Sequence, residues 1–381
     1  MIKKIERLPS PFKEVLKATS FFASSQGFGV FLVGGVVRDL ILGRGVFDLD
    51  IVVEGDAIVL AKEVADHFKK AFRRHHSFGT ATVYFGEHKI DFATARKEYY
   101  PQWGALPKVS PSSLEDDLLR RDFTINAMAL SLNKLHYGEI VDLYGGLADL
   151  RNGSIRVLHK NSFLDDPTRI LRAIRFEQRF SFKLEKNTFR WMKNAIASGA
   201  LSCVHHHRWK DELILILKES NPYLSIKRIA YLAGFSFIHK DIKLKKDDFK
   251  FLLRIKKAIA FYERKFKKHK KLESWIVYLA ALLIKLPKGK MWHFLNDFGL
   301  KKQERAIIIS IKNRVSGMKK LNRSLRSHRV FRTLTQLSFE SIVFFYAFYT
   351  DKKIRKNIEH FLDELVYIRL HIRGDDLEQL G

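Results

Sequence analysis

The N-terminal part of the chain contains a predicted strand, a glycine turn and a predicted helix in immediate succession. Residues 27–33, GFGVFLV, are apolar and β-rich, and they end at Gly34 and Gly35. The following VVRDLILG has apolar side chains at helical spacing and stops at Gly43. Because paired glycines let backbone N–H groups approach a phosphate at a helix N-terminus, this segment is either a phosphate-binding turn or simply a tight turn.

Two aspartates follow on the next predicted strand, FDLDIVV. Asp48 and Asp50 are two residues apart, so their side chains project from the same face of a strand. A divalent cation removes their repulsion, and Mg²⁺ prefers carboxylate oxygens. The pair predicts a metal site for phosphoryl transfer, in which two Mg²⁺ ions stabilise the attacking and leaving oxygens. An isolated pair of this kind is more often two solvent-facing aspartates on a half-exposed strand.

Two further alternating segments, Thr80–Phe85 and His88–Thr94, predict more strands of a mixed sheet with flanking helices. Asp91 lies in the second of them. It is a candidate third metal ligand or acceptor for the proton of an attacking hydroxyl, and the alternative is a structural salt bridge to Arg96. Residues 96–113 contain three prolines and a glycine, which predicts a long loop.

The second half of the chain has a different pattern. From residue 166 onward, apolar residues recur at helical spacing with basic residues between them, which predicts an all-helical part. The sequence shows no repeat of fixed period, so a helical solenoid is not supported. Residues 251–330 contain 22 lysines and arginines against four acidic residues. We therefore expect a catalytic first half and a second half that binds a polyanion.

Composition narrows the class of partner. With 381 residues, 46% of them hydrophobic, the chain can bury a core and form two or more domains. Its formal net charge of +28 predicts attraction to nucleic acid or to an anionic membrane. No apolar run is long enough to span a bilayer and no secretory signal is visible, so nucleic acid is the expected partner. One cysteine, Cys203, excludes an internal disulfide and fits a reducing cytoplasm.

Several motifs occur in an ordered series. GGVVRD precedes DLD, RRDFTINAMA spans residues 120–129, DLYGGLADLRNGSIR spans 142–156, DDPTRILRAIRF spans 165–176, and HRWKDELILIL spans 207–217. Together they resemble the class II tRNA nucleotidyltransferases and the related bacterial poly(A) polymerases, members of the DNA polymerase β nucleotidyltransferase superfamily. The resemblance covers roughly residues 27–219. The C-terminal IRGDDLEQLG resembles the tail segment of the family.

The resemblance implies a role for each motif. Asp48, Asp50 and Asp91 would be catalytic, the first two as metal ligands. The nucleotide would be bound by the glycine turn, the ribose motif and the base-reading motif, that is by Gly34, Gly35, Arg38, Arg120, Arg121, Asp122, Asn126, Asp165, Asp166, Arg169 and Arg172. In the ribose motif a carboxylate and an amide can bond the 2′-hydroxyl while guanidiniums hold phosphate.

The base-reading motif has a chemical logic of its own. Asp166 and Arg169 place an acceptor beside a donor, which matches the exocyclic amine and unprotonated ring nitrogen that cytosine and adenine share. Uracil and guanine would leave these groups unpaired. The alternative is that Asp166 caps a helix that begins with Pro167. Asp165 stands where the family often has glutamate.

The fifth motif also departs from the family pattern. His207 and Arg208 replace the usual Glu-Arg and follow two further histidines. Neighbouring residues on a helix point about 100° apart, so the three histidines predict a basic surface rather than a metal site.

The expected fold is therefore an α+β, DNA polymerase β-like head with a mixed sheet, followed by an all-helical part. We expect a catalytic head over residues 1–149, a helical neck over 150–225 and a basic body and tail over 226–381. The body would bind tRNA through lysines that include Lys256, Lys257, Lys267 and Lys268. No protein partner is implied.

The implied activity is template-independent addition of CMP, AMP or both to the tRNA 3′ end, with ATP and possibly CTP as substrates and Mg²⁺ as cofactor. Residues 96–113 resemble the loop that family members need for adding A, which favours terminal A addition. The alternatives are a poly(A) polymerase and a noncatalytic RNA-binding protein on the same scaffold. The retained polar residues of the motifs speak against the latter.

Overall fold

The computed structural model describes residues 5–6, 8–45, 48–266, 271–322 and 325–368. The chain forms two compact units, Met1–Val204 and His205–Gly381. The expected α+β head and helical second part are confirmed, while the finer division into head, neck and body stays a prediction. Lys267, Lys268 and the tail-like IRGDDLEQLG lie outside the described residues.

The first unit is built on a seven-stranded mixed sheet with the order β3-β4-β5-β2-β1-β8-β9. Strands β2 and β5 are parallel, and the other neighbouring pairs are antiparallel. The predicted strands at 80–85 and 88–94 have the expected bounds. The strands are β1 (Gly29–Val33), β2 (Leu49–Glu54), β3 (Ala71–His75), β4 (Thr80–Phe85), β5 (His88–Thr94), β8 (Ala129–Ser131) and β9 (Ile140–Val141).

Helices cover the sheet unevenly. The first three are α1 (Ser10–Ser25), α2 (Gly35–Leu42) and α3 (Ala57–Phe68). Helix α3 packs against β4 and β5, whose side chains alternate between buried and accessible. Ala81, Val83, Ile90 and Phe92 are the buried set. This alternation indicates one face packed on helices and one face that reaches solvent.

The expected long loop at residues 96–113 is wrong. Strands β6 (Arg96–Tyr99) and β7 (Lys108–Pro111) pair antiparallel as a hairpin, and α4 (Leu114–Leu119) follows at once. Two of the three prolines lie outside the strands and the third, Pro111, ends β7. Prolines at such positions do not interrupt the ladder, which is why they were a misleading loop signal.

The first unit ends in short elements and helices. They are α5 (Gly146–Arg151), β10 (Ser154–Ile155), α6 (Ser162–Asp165), α7 (Thr168–Phe180), β11 (Lys183–Leu184) and α8 (Lys186–Ala197). Helix α7 carries most of the base-reading motif. Its buried residues include Arg169 and Arg175 as well as apolar side chains.

The second unit is helical, as expected. Its helices are α9 (His206–Lys218), α10 (Pro222–Leu232), α11 (Lys246–Lys265), α12 (Ser274–Leu283), α13 (Lys288–Asp297), α14 (Lys302–Arg314), α15 (Ser327–Leu334), α16 (Phe339–Phe348) and α17 (Lys352–Asp363). Helix α12 is apolar on all sides and buried from Trp275 to Leu283, so it forms the centre of this unit. Within the described part of the chain, no helix is both long and apolar enough to cross a bilayer.

Candidate active site

A polar cavity of about 460 Å³ opens in the first unit. The glycine turn, strand β2, the β6–β7 hairpin, the ribose motif and helix α7 all contribute to its wall. The lining residues are Gly34, Gly35, Arg38, Asp50, Glu98, Tyr100, Arg120, Arg121, Asp122, Asn126, Asp166, Arg169, Arg172, Arg175, Phe176 and Arg179. Seven arginines against four carboxylates make the wall strongly basic, as a site for a polyphosphate requires.

The glycine turn is shaped by its contact with an arginine. Gly34 has φ +75° and immediately precedes α2. A Cβ atom on Gly34 would lie 2.8 Å from the Nη1 atom of Arg121. The Arg121 side chain donates to Asp117 through Nη2, while its buried Nε–H has no hydrogen-bond partner among the described residues. The positive φ of Gly34 favours glycine, and a Cβ atom there would force the guanidinium of Arg121 to move.

Three carboxylates lie on one face of the sheet beside this cavity. Asp50 is directly opposite Asp91 in the parallel β2–β5 pair, and Asp48 immediately precedes β2. Asp91 accepts hydrogen bonds from Thr82 Oγ1 (2.5 Å) and Lys89 Nζ (3.3 Å). Arg96 instead pairs with Glu98. The alternative salt bridge between Asp91 and Arg96 is therefore not the pairing that the structure has.

The pKa of Asp50 is shifted by its position in this cluster. It reaches solvent, but the surrounding protein partly buries it, and this burial raises the pKa of its carboxyl group. Arg121 opposes the shift, whereas the charges of Asp91 and Asp48 add to it. The repulsion is what a bound cation would relieve.

The donor set suits a hard cation only in part. Across residues 8–45, 48–266, 271–322 and 325–368, no three His, Cys, Asp or Glu side chains are grouped closely enough to hold a metal ion by themselves. Asp50 nevertheless lines the basic cavity, and Asp48 lies two residues before it along the chain. Mg²⁺ is commonly bound by one or two carboxylates together with substrate phosphates, so the residues fit such an ion.

The ribose motif forms a buried network around Asp122. The carboxylate accepts hydrogen bonds from Asn126 Nδ2 (2.9 Å) and Arg172 Nε (2.8 Å). Asn126 in turn accepts one from Arg38. Burial alone would raise the pKa of Asp122, but the charge of Arg172 and the Asn126 hydrogen bond outweigh it and hold the pKa below its ordinary value. Asp122 is thus a fixed anion inside the cavity wall.

The base-reading pair lies at the start of helix α7. Arg169 is buried, and its guanidinium donates to Ser162 Oγ (2.6 Å) and to the carbonyl oxygen of Arg120 (2.7 Å). Asp166 Oδ1 accepts from the backbone N–H of Thr168 (3.1 Å), so it also acts as a cap. The helix begins at Thr168, and the pair therefore meets at the first turn rather than on one helical face.

Comparison with known proteins identifies the fold. Residues 30–156 match the family model of the Poly A polymerase head domain. A CCA-adding enzyme of Lactobacillus helveticus is 30% identical over 77% of this chain and 69% of its own length. The chain belongs to the tRNA nucleotidyltransferase/poly(A) polymerase family.

Two other relatives match nearly the whole length of this chain. An A-adding tRNA nucleotidyltransferase of Geobacter sulfurreducens is 37% identical over 98% of this chain, which spans only 43% of that relative's length. A solved tRNA nucleotidyltransferase complexed with a primer tRNA and an incoming ATP analog is 33% identical, with a TM-score of 0.80 over 91% of this chain and 98% of that one. Members of this family use a divalent metal.

Most of the residues that the family motifs predict come together in the cavity. The exceptions are Asp48 and Asp91, which lie beside it on the sheet face, and Asp165. Asp165 is 3.8 Å from His159 Nδ1, and partial burial raises the pKa of its carboxyl group. It belongs to the short helix α6 before the pair.

Five lining residues were not predicted, namely Glu98, Tyr100, Arg175, Phe176 and Arg179. The last three continue the face of Arg169 and Arg172 along α7, so helical spacing could have found them. Glu98 lies on β6 and Tyr100 follows the end of that strand, and their spacing of two was hidden because the segment was assigned to a loop. Glu98 bonds Tyr100 Oη, Arg96 and Arg120.

Proposed function

We propose that the chain is a template-independent RNA nucleotidyltransferase that adds AMP, CMP or both to the tRNA 3′ end and so builds or completes CCA. Terminal A addition is the step with the most support. The observation that carries the proposal is that the carboxylate of Asp50 and the pair Asp166 and Arg169 line the same arginine-rich cavity. The family relatives act on tRNA by name, and one solved relative holds a primer tRNA and an ATP analog.

In this reaction the 3′-hydroxyl of the RNA attacks the α-phosphorus of ATP or CTP, and the bond to pyrophosphate breaks. Mg²⁺ bound by Asp48 and Asp50 would stabilise the charge on the attacking and leaving oxygens. Asp91, opposite Asp50, is the acceptor that we assign to the hydroxyl proton. Arg120 and Arg121 would hold the triphosphate, and the Nε–H of Arg121, which has no hydrogen-bond partner in the described part of the chain, would be one donor.

The sugar and base have separate partners. Asp122 and Asn126 are held rigidly by Arg172 and Arg38, and they would bond the ribose hydroxyls. Asp166 and Arg169 would read the amine and the free ring nitrogen that adenine and cytosine share. Two of the five guanidinium N–H groups of Arg169 donate to Ser162 and to the Arg120 carbonyl, so the donor for the base would come from the remaining three.

The second unit would bind the body of the tRNA. Lys256 is partly buried and Lys257 exposed on α11, within the most basic stretch of the chain. Contacts to phosphates rather than base edges suit double-helical RNA, which is recognised mostly by shape. The enzyme would act in the cytoplasm.

A poly(A) polymerase is the second candidate, because the family model that matches residues 30–156 carries that name. It shares the chemistry and differs in where addition stops. The relatives named as tRNA nucleotidyltransferases favour the first candidate.

One experiment tests the proposal. Transcripts of a tRNA ending before CCA, after the first C and after both Cs are incubated separately with each labelled NTP. We expect AMP on the transcript that ends in CC, and little UMP or GMP on any of them. CMP addition to the shorter transcripts distinguishes a CCA-adding enzyme from an A-adding one. A long A tail on unrelated RNA would establish the poly(A) polymerase instead.

A further inference from the structure

Among the described residues, only one half of the sheet face that carries the carboxylates is covered by other elements. On that face Val33, Val52 and Ala129 are buried in a cluster with Leu114 and Leu118 of α4. These residues belong to β1, β2 and β8 and to the helix beside the nucleotide cavity. The same face of β3, β4 and β5 has a different character, because its side chains are accessible and most of them are polar.

Strand register shows which side chains share this open area. Arg73 lies opposite Thr82, Thr82 opposite Asp91, and Asp91 opposite Asp50. Directly opposed residues of neighbouring strands project from the same face. Arg73 and Asp50 are therefore the two ends of one row that crosses four strands.

A second row runs beside the first. Tyr84 lies opposite Lys89, whose backbone N–H donates to Asp48 Oδ1 at 3.4 Å. Arg73, Tyr84 and Lys89 are all exposed, Tyr84 by 38% of its surface. The buried residues Ala81 and Val83 alternate with Thr82 and Tyr84 and face the other way. An exposed ring between two cations is therefore next to the carboxylates, on the side away from the nucleotide cavity.

We propose that this open face, defined by Arg73, Tyr84 and Lys89, binds the single-stranded 3′ end of the RNA primer. The proposal rests on the proposed function: with an incoming nucleotide in the arginine-rich cavity, the attacking hydroxyl would approach Asp50 from the open sheet face. Arg73 would hold a phosphate upstream of the terminal nucleotide, and Tyr84 would stack on a base.

Charge and spacing favour a nucleic acid strand on this face. Two strand spacings, roughly 10 Å, separate the Cα atoms of Arg73 and Asp91. The cation is thus far enough from the carboxylates for a backbone phosphate to bind it without meeting them. Cations that track a backbone and an aromatic ring on which a base stacks are the usual elements of single-strand binding.

The test compares two neighbouring arginines. Arg73→Ala removes the cation from the open face. The matched control Arg74→Ala removes a cation that is also exposed but lies opposite the buried Ala81, on the other face. The substrate is an acceptor-stem minihelix ending in single-stranded CC, which limits contacts elsewhere. AMP incorporation is measured with the full chain.

We expect Arg73→Ala to raise the KM for the minihelix about five-fold at 0.1 M salt and to lower the salt slope of log KM by about 0.7, the value for one contact to a single strand. The KM for ATP should not change, and Arg74→Ala should match the unaltered enzyme. An unchanged minihelix KM and salt slope for Arg73→Ala would overturn the proposal.

Tyr84 supplies an independent measurement. Tyr84→Ala should raise the minihelix KM roughly five-fold or more, and Tyr84→Phe, which keeps the ring, should restore it. Equal effects of both variants would exclude stacking. An unaltered enzyme that adds no nucleotide to any RNA would refute the proposed function. Normal addition by the unaltered enzyme, together with unchanged kinetics in the Arg73 and Tyr84 variants, would refute only the proposed primer-binding face.

Discussion

Asp50 and Asp91 lie directly opposite each other on the parallel strands β2 and β5, and both carboxylates project from the same face of the sheet. Lys89 and Thr82 hold Asp91, while burial and its acidic neighbours raise the pKa of Asp50. The Asp50–Asp91 pair therefore has two different surfaces next to it. The nucleotide cavity lies on one side of the pair and the open sheet face on the other.

Removing either metal-binding carboxylate should abolish the reaction. We expect Asp48→Ala and Asp50→Ala to reduce AMP incorporation by roughly three orders of magnitude or more, because charge on the reacting oxygens would no longer be stabilised. Single-turnover incorporation in Mg²⁺ and tRNA binding are the two measurements, and binding should change little. Asp66→Ala, at an exposed ion pair on α3, is the control. Near-normal incorporation by either variant would mean that the metal assignment is wrong.

The glycine turn offers a matched pair of substitutions. Gly34 and Gly43 have φ values of +75° and +69°, so alanine strains the backbone at both. Only at Gly34 does the new Cβ meet Arg121, whereas no atom of the described residues lies within 4 Å of a Cβ at Gly43. We expect Gly34→Ala to raise the KM for ATP several-fold more than Gly43→Ala, in steady-state kinetics. Equal kinetics in the two variants would show that the Arg121 contact does not matter.

Nucleotide choice should depend on Arg169. Arg169→Ala should slow AMP addition and also narrow the preference for AMP over UMP by tenfold or more, since the mismatched base would no longer leave a buried donor unpaired. Competition between labelled ATP and UTP on a transcript ending in CC measures this ratio. Arg151→Ala, in α5 outside the cavity, is the control. A slower enzyme with unchanged selectivity would assign Arg169 to phosphate binding or structure.

Asp122 should make the stability of the first unit sensitive to acid. The pKa of Asp122 in the folded state is held below its ordinary value of 3.8. The carboxylate therefore contributes to the free energy of unfolding above pH 3.8, and this contribution is lost as the pH falls through the pKa of the folded state. Asp122→Asn should cost about 3 kcal/mol at neutral pH, and the difference should shrink below about pH 3.8. Urea unfolding at several pH values measures it. The exposed Asp247→Asn should have a much smaller effect, and a pH-independent loss in Asp122→Asn would argue against the ion pair.

Binding of tRNA should weaken when the basic helix of the second unit is neutralised. We expect Lys256→Gln with Lys257→Gln to lower affinity and to reduce the salt slope of binding by about 0.9 for each lost phosphate contact. A filter-binding titration at several salt concentrations measures both. Lys17→Gln with Lys62→Gln, on exposed helix positions of the first unit, is the control. Identical slopes in the two double variants would move the binding surface away from α11.

The sequence by itself determined the local elements and the chemical inventory. Alternation identified β4 and β5 to the residue, and the glycine turn and helical spacing identified β1 and α2, because these signals depend on neighbours along the chain. The motifs identified the family, and with it most residues of the cavity wall, including the buried network of Asp122, Asn126 and Arg172.

The tertiary structure alone decided which residues meet across the chain. Nothing local in residues 96–113 showed that β6 would pair with β7 and bring Glu98 and Tyr100 into the cavity, because strand pairing depends on a partner elsewhere in the chain. The row from Arg73 to Asp50 likewise exists only through the register of four strands that the sequence does not order. Residue types and periods are properties of a segment, whereas a site with two sides is a property of how segments are paired.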